Sequence, residues 1–207
     1  SVNAADLTSA VSAANTWATS NLKGIVLGDS KTSATGSDSL AVGNSAKATK
    51  DSAIAIGNGA QATGTSSISI GTGNVVSGAK SGAIGDPTTI TGAGSYSLGN
   101  NNNIASDNSF VVGNNVTLAS GTNGAVALGN NASVTQAGGV ALGQSSVANT
   151  AAGATGYVPT GASAAQTAAV AATKSTLAAV SVGSTGNTRQ ITNVAAGTTD
   201  TDAVNVA

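Results

Sequence analysis

A short phrase, apolar–small–apolar–Gly with Asn or Asp usually next, recurs along this chain at a nearly fixed interval. Its glycines are Gly28, Gly43, Gly57, Gly71, Gly85, Gly99, Gly113, Gly129 and Gly143, spaced 15, 14, 14, 14, 14, 14, 16 and 14 residues apart. Self-similarity at a fixed period marks a stacked architecture, in which each unit buries its apolar face against the next. No ordinary globular core needs such regularity. The period therefore limits the fold before any other property is considered.

Each unit carries an apolar pair three and one residues before its Gly. The pairs supply Leu40, Val42, Ile54, Ile56, Ile68, Ile70, Leu98, Phe110, Val112, Val126, Leu128, Val140 and Leu142, the expected structural core of the repeat. Between the members of a pair stands a small residue, such as Ala41, Ala55, Ser69, Ala83, Ser97, Ala127 or Ala141. The alternation has the period of two that a strand requires, and β-branched residues favour it. Gly-Asn and Gly-Asp predict the turn, since both residue types tolerate positive φ. Five residues past the Gly, a second apolar or small position (Ala48, Ala62, Val76, Ile90, Ile104, Leu118, Val134, Ala148) predicts a shorter return strand.

Two short strands and two turns use up one period. Successive units then stack in parallel about 4.8 Å apart, and nine coils give a rod roughly 40 Å long. A coil this small encloses a slot for small or single branched side chains. One strand face lines the slot and the other forms an apolar stripe along the rod; the pattern leaves open which is which. Such a stripe is not left in water by a soluble protein, so self-association about a symmetry axis is expected.

Composition narrows the function. Charged residues make up 7% and aromatic residues 2% of the chain, while 40% is apolar. That is too little charge for an average globular domain and too much apolar content for disorder. A formal net charge of −1 offers no basic stripe for nucleic acid. The chain has no Cys and no His, which excludes disulfides, Cys-based zinc sites and histidine acid–base chemistry. Its eight acidic residues are all Asp and are scattered, so no catalytic or metal constellation is expected and no cofactor is implied. Asn rather than Asp follows most of the repeat glycines, against calcium-binding repeats, and the Thr residues keep register too loosely for an ice-binding ladder. Asn115-Val116-Thr117 and Asn131-Ala132-Ser133 match the glycosylation acceptor pattern, which an Asn-rich repeat produces by chance. No stretch is long and apolar enough to span a bilayer. SVNAADLTSA lacks the basic start and apolar run of a signal peptide, so an exported chain would carry this segment internally.

The ends read differently. Leu7, Val11, Ala14 and Ala18 follow helical spacing, predicting a short amphipathic helix within residues 1–20 that feeds the first coil. After Asn149 the rhythm stops, and an Ala- and Gly-rich stretch reads as an insertion loop packed on the rod. AVSVG (Ala179 to Gly183) restores the phrase once. Trp17 and Tyr157, outside the regular coils, are expected packing anchors.

The repeat, then KSTLAAVSVG (Lys174 to Gly183), then TRQITNVAAGTTDTDAVNVA (Thr188 to Ala207) resembles the head and neck of a trimeric autotransporter adhesin, most nearly a YadA-like head. The resemblance covers about residues 22–207. It implies an all-β, left-handed parallel β-roll, homotrimeric, with a short N-terminal helix and a C-terminal neck. Residues 1–21 would then be a helical stalk junction, 22–149 the β-roll head, 150–178 a head insertion motif and 179–207 a neck leading to a coiled-coil stalk. It also implies exposure on the outer membrane of a Gram-negative bacterium, with export by a membrane barrel and no direct membrane insertion by this fragment. The implied function is multivalent attachment to host matrix or cells, with collagen, fibronectin and laminin as candidate partners. A structural spacer that projects another adhesive domain is the alternative. NSFVVG, DSLAVG and SAIAIG approach the family's collagen-associated phrase without reproducing it. Arg189 matches the neck Arg, where it would cap backbone carbonyls or pair with Asp200 or Asp202 across subunits.

Overall fold

The computed structural model describes residues 3–21, 24–199 and 201–203, with the backbone alone for residues 16–21. Among these residues the chain is a parallel β-solenoid with two helices. Ten strands form the first sheet: Gly24–Leu27, Ser39–Val42, Ile54–Ile56, Ile68–Ile70, Gly82–Ile84, Tyr96–Leu98, Phe110–Val112, Val126–Leu128, Val140–Leu142 and Val180–Ser181. The return strands, shorter as the pattern predicts, form a second sheet from Ser33–Ala34 to Thr117–Leu118, followed by a separate pair, Ser133–Val134 with Val147–Ala148.

Each strand pairs with the equivalent strand one coil on, so Leu40 faces Ile54 and Ile54 faces Ile68. The repeat spacings are the sheet's register. Where the sequence inserts extra residues the ladder keeps its alignment, as in Phe110 opposite Val126 and Ile25 opposite Leu40; the insertions are absorbed in turns. The tenth strand pairs Val140 with Val180, so the whole segment between the ninth and tenth strands projects from the ladder.

The interior is narrow and has four columns, two from each sheet. In the first sheet they run through Ser39, Ala53, Ser67, Ser81, Ser95, Ser109 and Ala125, and through Ala41, Ala55, Ser69, Ala83, Ser97, Val111, Ala127 and Ala141. The second sheet adds Ala46, Ala60, Asn74, Thr88, Asn102, Val116, Ala132 and Ser146, and then Ala48, Ala62, Val76, Ile90, Ile104, Leu118, Val134 and Ala148. All are buried. The polar members are hydrogen-bonded in ladders, as burial demands. Ser81 Oγ donates to Gly92 O at 2.7 Å and accepts from Ser95 N at 3.1 Å; Ser95 Oγ repeats the pattern with Ser106 O and Ser109 N. Asn102 bridges three ways, to Ser97 Oγ, Gly113 O and Val116 N. Asn74 donates to Ile70 O and Gly85 O, while its Oδ1 is buried without a partner.

The first helix, α1 (Ala4–Asn21), confirms the helical spacing near the N-terminus and begins on a reciprocal cap between Asn3 and Asp6. Leu7 and Val11 are exposed on it, and the Trp17 side chain lies outside the described residues. The second helix, α2 (Ala164–Ala172), occurs where a loop was expected. Ser163 and Gln166 form a capping box ahead of an Ala-rich run, the local signal for a helix start. The expectation that this insertion packs on the rod is corrected: α2 buries none of its residues. The segment stands on a stem tied by Ala179 N to Thr150 O and Gly153 N to Ser175 O. Tyr157, expected to be a packing anchor, is likewise exposed.

Candidate functional site

Outward positions on the ten-stranded sheet form two apolar rows. One runs through Leu40, Ile54, Ile68, Gly82, Tyr96, Phe110, Val126 and Val140, the other through Val42, Ile56, Ile70, Ile84, Leu98, Val112, Leu128 and Leu142. No charged residue occurs in either. The thirteen residues expected to form the repeat core, Leu40, Val42, Ile54, Ile56, Ile68, Ile70, Leu98, Phe110, Val112, Val126, Leu128, Val140 and Leu142, do not line the interior of the chain. They are half-buried or exposed on its outer side, with Leu98 at 51% and Phe110 at 49%. The reason is steric. Four inward side chains per coil already fill the slot, and two larger aliphatics per strand would not fit between sheets joined by such tight turns. This resolves which face is which: the small residues point in, and the bulky pairs are the stripe.

The second sheet's outward row is different. It reads Ser33, Lys47, Gln61, Val75, Thr89, Asn103, Thr117, Ser133 and Val147, mostly polar. One side of the rod is apolar and the other mostly polar.

The turns explain the glycines. Gly43, Gly57, Gly71, Gly85, Gly99, Gly113, Gly129 and Gly143 all have φ between 102° and 154°. A Cβ on Gly57 or Gly99 would also fall on the carbonyl of the repeat glycine one coil on. Gly28 is outside the left-handed region, yet a Cβ there would meet Thr32 and the Gly43 carbonyl. The Asn after each Gly does not take the second left-handed position. That falls one residue later, on Ser45, Asn101, Asn115, Asn131 and Ser145, with φ of 55° to 59°. The Asn instead builds a ladder: Asn100 Oδ1 accepts from Asp86 N at 2.9 Å, Asn114 Oδ1 from Asn100 N at 2.7 Å and Asn130 Oδ1 from Asn114 N at 2.9 Å. A parallel ladder at the other turn uses Asp51, Asp107 and Asn123. In the first coil Asp29 accepts from Ser45 N and Oγ, Thr32 Oγ1 and Lys31 N. These donors, the Ser45 amide foremost, lower its pKa to about 2.

At the far end the coil ladder stops and Arg189 takes over. Its guanidinium lies against Gly143 and donates to Gln144 O, to Val182 O at 2.6 Å and to Ser146 Oγ at 3.0 Å. These acceptors sit where a further coil would have supplied amides. Asp202 does not meet Arg189 within the chain. Its carboxylate takes the backbone amides of Thr198 and Thr199 and both hydroxyls, which lowers its pKa to about 2. Asp200 and the last four residues lie outside the described residues. Among the described residues there is no cluster of acidic side chains able to hold a metal ion.

Comparison with known proteins bears on this geometry directly. The YadA head domain repeat matches the chain in two copies, at residues 34–60 and 119–146. No curated protein matches the sequence. The fold matches the crystal structure of the collagen-binding domain of the Yersinia adhesin YadA with a TM-score of 0.62 and 28% identity, over 84% of this chain and 82% of that one. Solenoid and repeat together define a parallel β-roll head. More particularly, the fold and the repeats of this chain are similar to those of the YadA head.

Proposed function

We propose that this chain is the trimeric head of a surface adhesin. Three copies turn their ten-stranded sheets toward a common axis and present the short-strand sheets and the turns to host matrix or cells. The observation that carries this is the uncharged double row of aliphatic and aromatic side chains running the length of the roll. A partner that is itself a roll of the same rise meets every rung of that row, and closed rings are the common way for identical chains to do so. The thirteen outward apolar residues are then buried between copies. Residues 22–149 serve as the head, 150–178 as an insertion and 179–207 as a neck in which Arg189 caps the last coil, Asp200 and Asp202 being the acidic residues it could pair with across subunits. Residues 1–21 form the junction on the other side. The setting is the exposed passenger of an outer-membrane autotransporter of a Gram-negative bacterium.

Collagen is the first ligand to test, because the solved domain that this chain resembles binds it; fibronectin and laminin are the comparators. Weak contacts repeated over three rolls and many copies would add through avidity. Sedimentation of the chain, with no trimerising segment fused to it, is expected to give trimers. Ile56→Asp is expected to give folded monomers, since it places a charge in the buried row without entering the slot. Saturable binding of the wild-type trimer to immobilised triple-helical collagen would support the adhesive role. Absence of binding to all three matrix proteins would favour a spacer.

A further inference from the structure

The turn column on one edge of the roll is broken at a single coil. Two residues past the repeat glycine the turn takes a left-handed residue: Ser45, Gly59, Gly73, Asn101, Asn115, Asn131 and Ser145 have φ of 55° to 69°. In the coil of Gly85 that place is held by Pro87, whose ring fixes φ at about −65° and removes the amide hydrogen. The loss falls on a column of bonds between coils. Gly59 N donates to Asn44 O, Gly73 N to Asn58 O, Asn115 N to Asn100 O, Asn131 N to Asn114 O and Ser145 N to Asn130 O, all at 2.8–3.0 Å. Thr72 O, the next acceptor after Asn58 O, has only the hydrogen-less Pro87 nitrogen in the matching place. A second acceptor is stranded beside it. Asn102 Oδ1 accepts from Val116 N, fourteen residues on, at 2.9 Å. The matching amide for Asn74 is that of Thr88, directly after Pro87, and Asn74 Oδ1 is buried without a partner.

We propose that the junction between the coils of Gly71 and Gly85 is a one-sided hinge, at which the rod opens along its glycine-turn edge. Two bonds still join the coils there, Gly85 N to Ile70 O at 3.0 Å and Asn74 Nδ2 to Gly85 O at 2.8 Å. The opposite edge is complete: Lys80 N donates to Thr65 O and Gly94 N to Ala79 O, both at 2.9 Å. Both sheets run through in register, with Ser69 opposite Ala83 and Val75 opposite Thr89. Opening therefore separates one edge and pivots on the other. A buried acceptor without a donor disfavours the closed state, because closing strips its water and supplies no bond in return. Opening readmits water to Asn74 Oδ1 and removes that penalty. The hinge also falls where the filling changes, since Val76 is the first of the late cluster, and the Asn ladder of the later turns starts at Asp86. Coils on either side can thus open separately. The hinge lies within one chain and exists whether or not copies assemble.

Amide exchange on the full chain tests the hinge. The Gly85 amide bonds to Ile70 O as those of Gly71 and Gly99 bond to Ile56 O and Ile84 O. It is expected to exchange about three- to tenfold faster than either, the range that one missing hydrogen bond corresponds to. Lys80 and Gly94, on the opposite edge, are expected to show no such excess. Pro87→Asn restores both the amide and the left-handed residue that Asn101 and Asn115 supply in their turns. It is expected to slow Gly85 to the rate of its neighbours, although removing a proline ordinarily loosens a chain. Pro87→Gly, with the residue type of Gly59 and Gly73, repeats the measurement if the Asn variant fails to fold. A wild-type Gly85 amide as protected as Gly71 and Gly99 overturns the hinge, and so does a Gly85 rate that neither substitution slows. Equal acceleration at Lys80 and Gly94 overturns it too, because the whole coil would then loosen with no pivot.

Discussion

The two halves of the roll share one backbone and are filled differently. From Ala34 to Ala62 the buried apolar cluster is made of alanine alone, with Ala41, Ala46, Ala48, Ala53, Ala55 and Ala60 between. From Val76 onward the return-strand column carries Val76, Ile90, Ile104, Leu118 and Val134 against Ala83, Ser97, Val111 and Ala127 of the long-strand sheet. The coil where the second cluster begins sets Ser67, Ser69 and Asn74 beside Val76. The ends differ as well: the early end is tied by the Asp29 carboxylate, the late one by the Arg189 guanidinium. The fourteen-residue period is thus a specification of turns, φ values and ladders. It leaves the filling free.

The harshest way to break the late half is a charge inside it. Ile104 is fully buried, and Ile104→Asp is expected to cost more than about 4 kcal/mol, because no partner exists for the carboxylate. Loss of the cooperative melt by circular dichroism would register it. The contrast with Ile56→Asp, on the outer side of the same wall, separates interior from interface: the first unfolds the chain, the second only separates the copies. A folded Ile104→Asp chain would refute the interior assigned to that column.

Exchanging the fillings tests whether the halves are interchangeable. Ile104→Ala should cost about 2–5 kcal/mol by leaving a cavity. Ala62→Ile, which puts the late residue into the equivalent early column, should cost about 1–3 kcal/mol by overpacking. Denaturant titrations of both would measure the asymmetry. If Ala62→Ile stabilises instead, the alanine coils are underfilled and not matched to their contents.

Left intact, the halves should also differ in local stability. An Ile in place of Ala adds three buried carbons, so each late coil gains about 2 kcal/mol over an early one by burial alone. In a stacked array that difference stays local. Amide exchange is therefore expected to be faster at Leu40–Ala62 than at Ile90–Leu118. Equal protection would show that the Ala coils recover the deficit in their hydrogen-bond ladders.

Much of this was legible before any coordinates. Coil count, strand positions and sheet register follow from the glycine spacing, since Leu40, Ile54 and Ile68 repeat at the interval at which the strands pair. What was not legible depends on the third dimension. Period-two alternation cannot say which side of a strand is inside, so Ile54 and Ala55 were equivalent until the width of the slot decided between them. The Asn after each Gly carried a turn signal that was real, yet the left-handed residue is the next one and the Asn bonds across coils. α2 was hidden because an Ala-rich run reads equally as loop filler until Ser163 and Gln166 are seen as a cap.

Weaker still is the Arg189 cap. Its side chain is solvent-exposed, so the charged bonds to Gln144 O and Val182 O are screened. Arg189→Ala should cost about 1 kcal/mol, read as faster amide exchange confined to Val140–Leu142 and Val180–Ser181. Destabilisation that spreads to the alanine coils would mean the ends communicate through the whole stack.

The smallest effect is expected in acid, and it acts on both ends. Asp29 and Asp202 have pKa values lowered to about 2 by the amides they hold, against about 3.9 in an unfolded chain. A depressed carboxyl stabilises the fold at pH above the unfolded value and loses that contribution as pH falls through the folded one. Both ties therefore hold at neutral pH and release between about pH 4 and pH 2. Both groups are exposed, so the effect is local. The Ser45 amide, held by Asp29, should begin to exchange freely in that window, while Asn100 and Asn114, held by uncharged Asn side chains, should show no such step. Asp29→Asn should abolish the step at Ser45 and leave the one at Thr198 and Thr199, where Asp202 is the acceptor. A step at Ser45 that survives Asp29→Asn would assign the acid response to some other group and remove the carboxylate from its place at the head of the first coil.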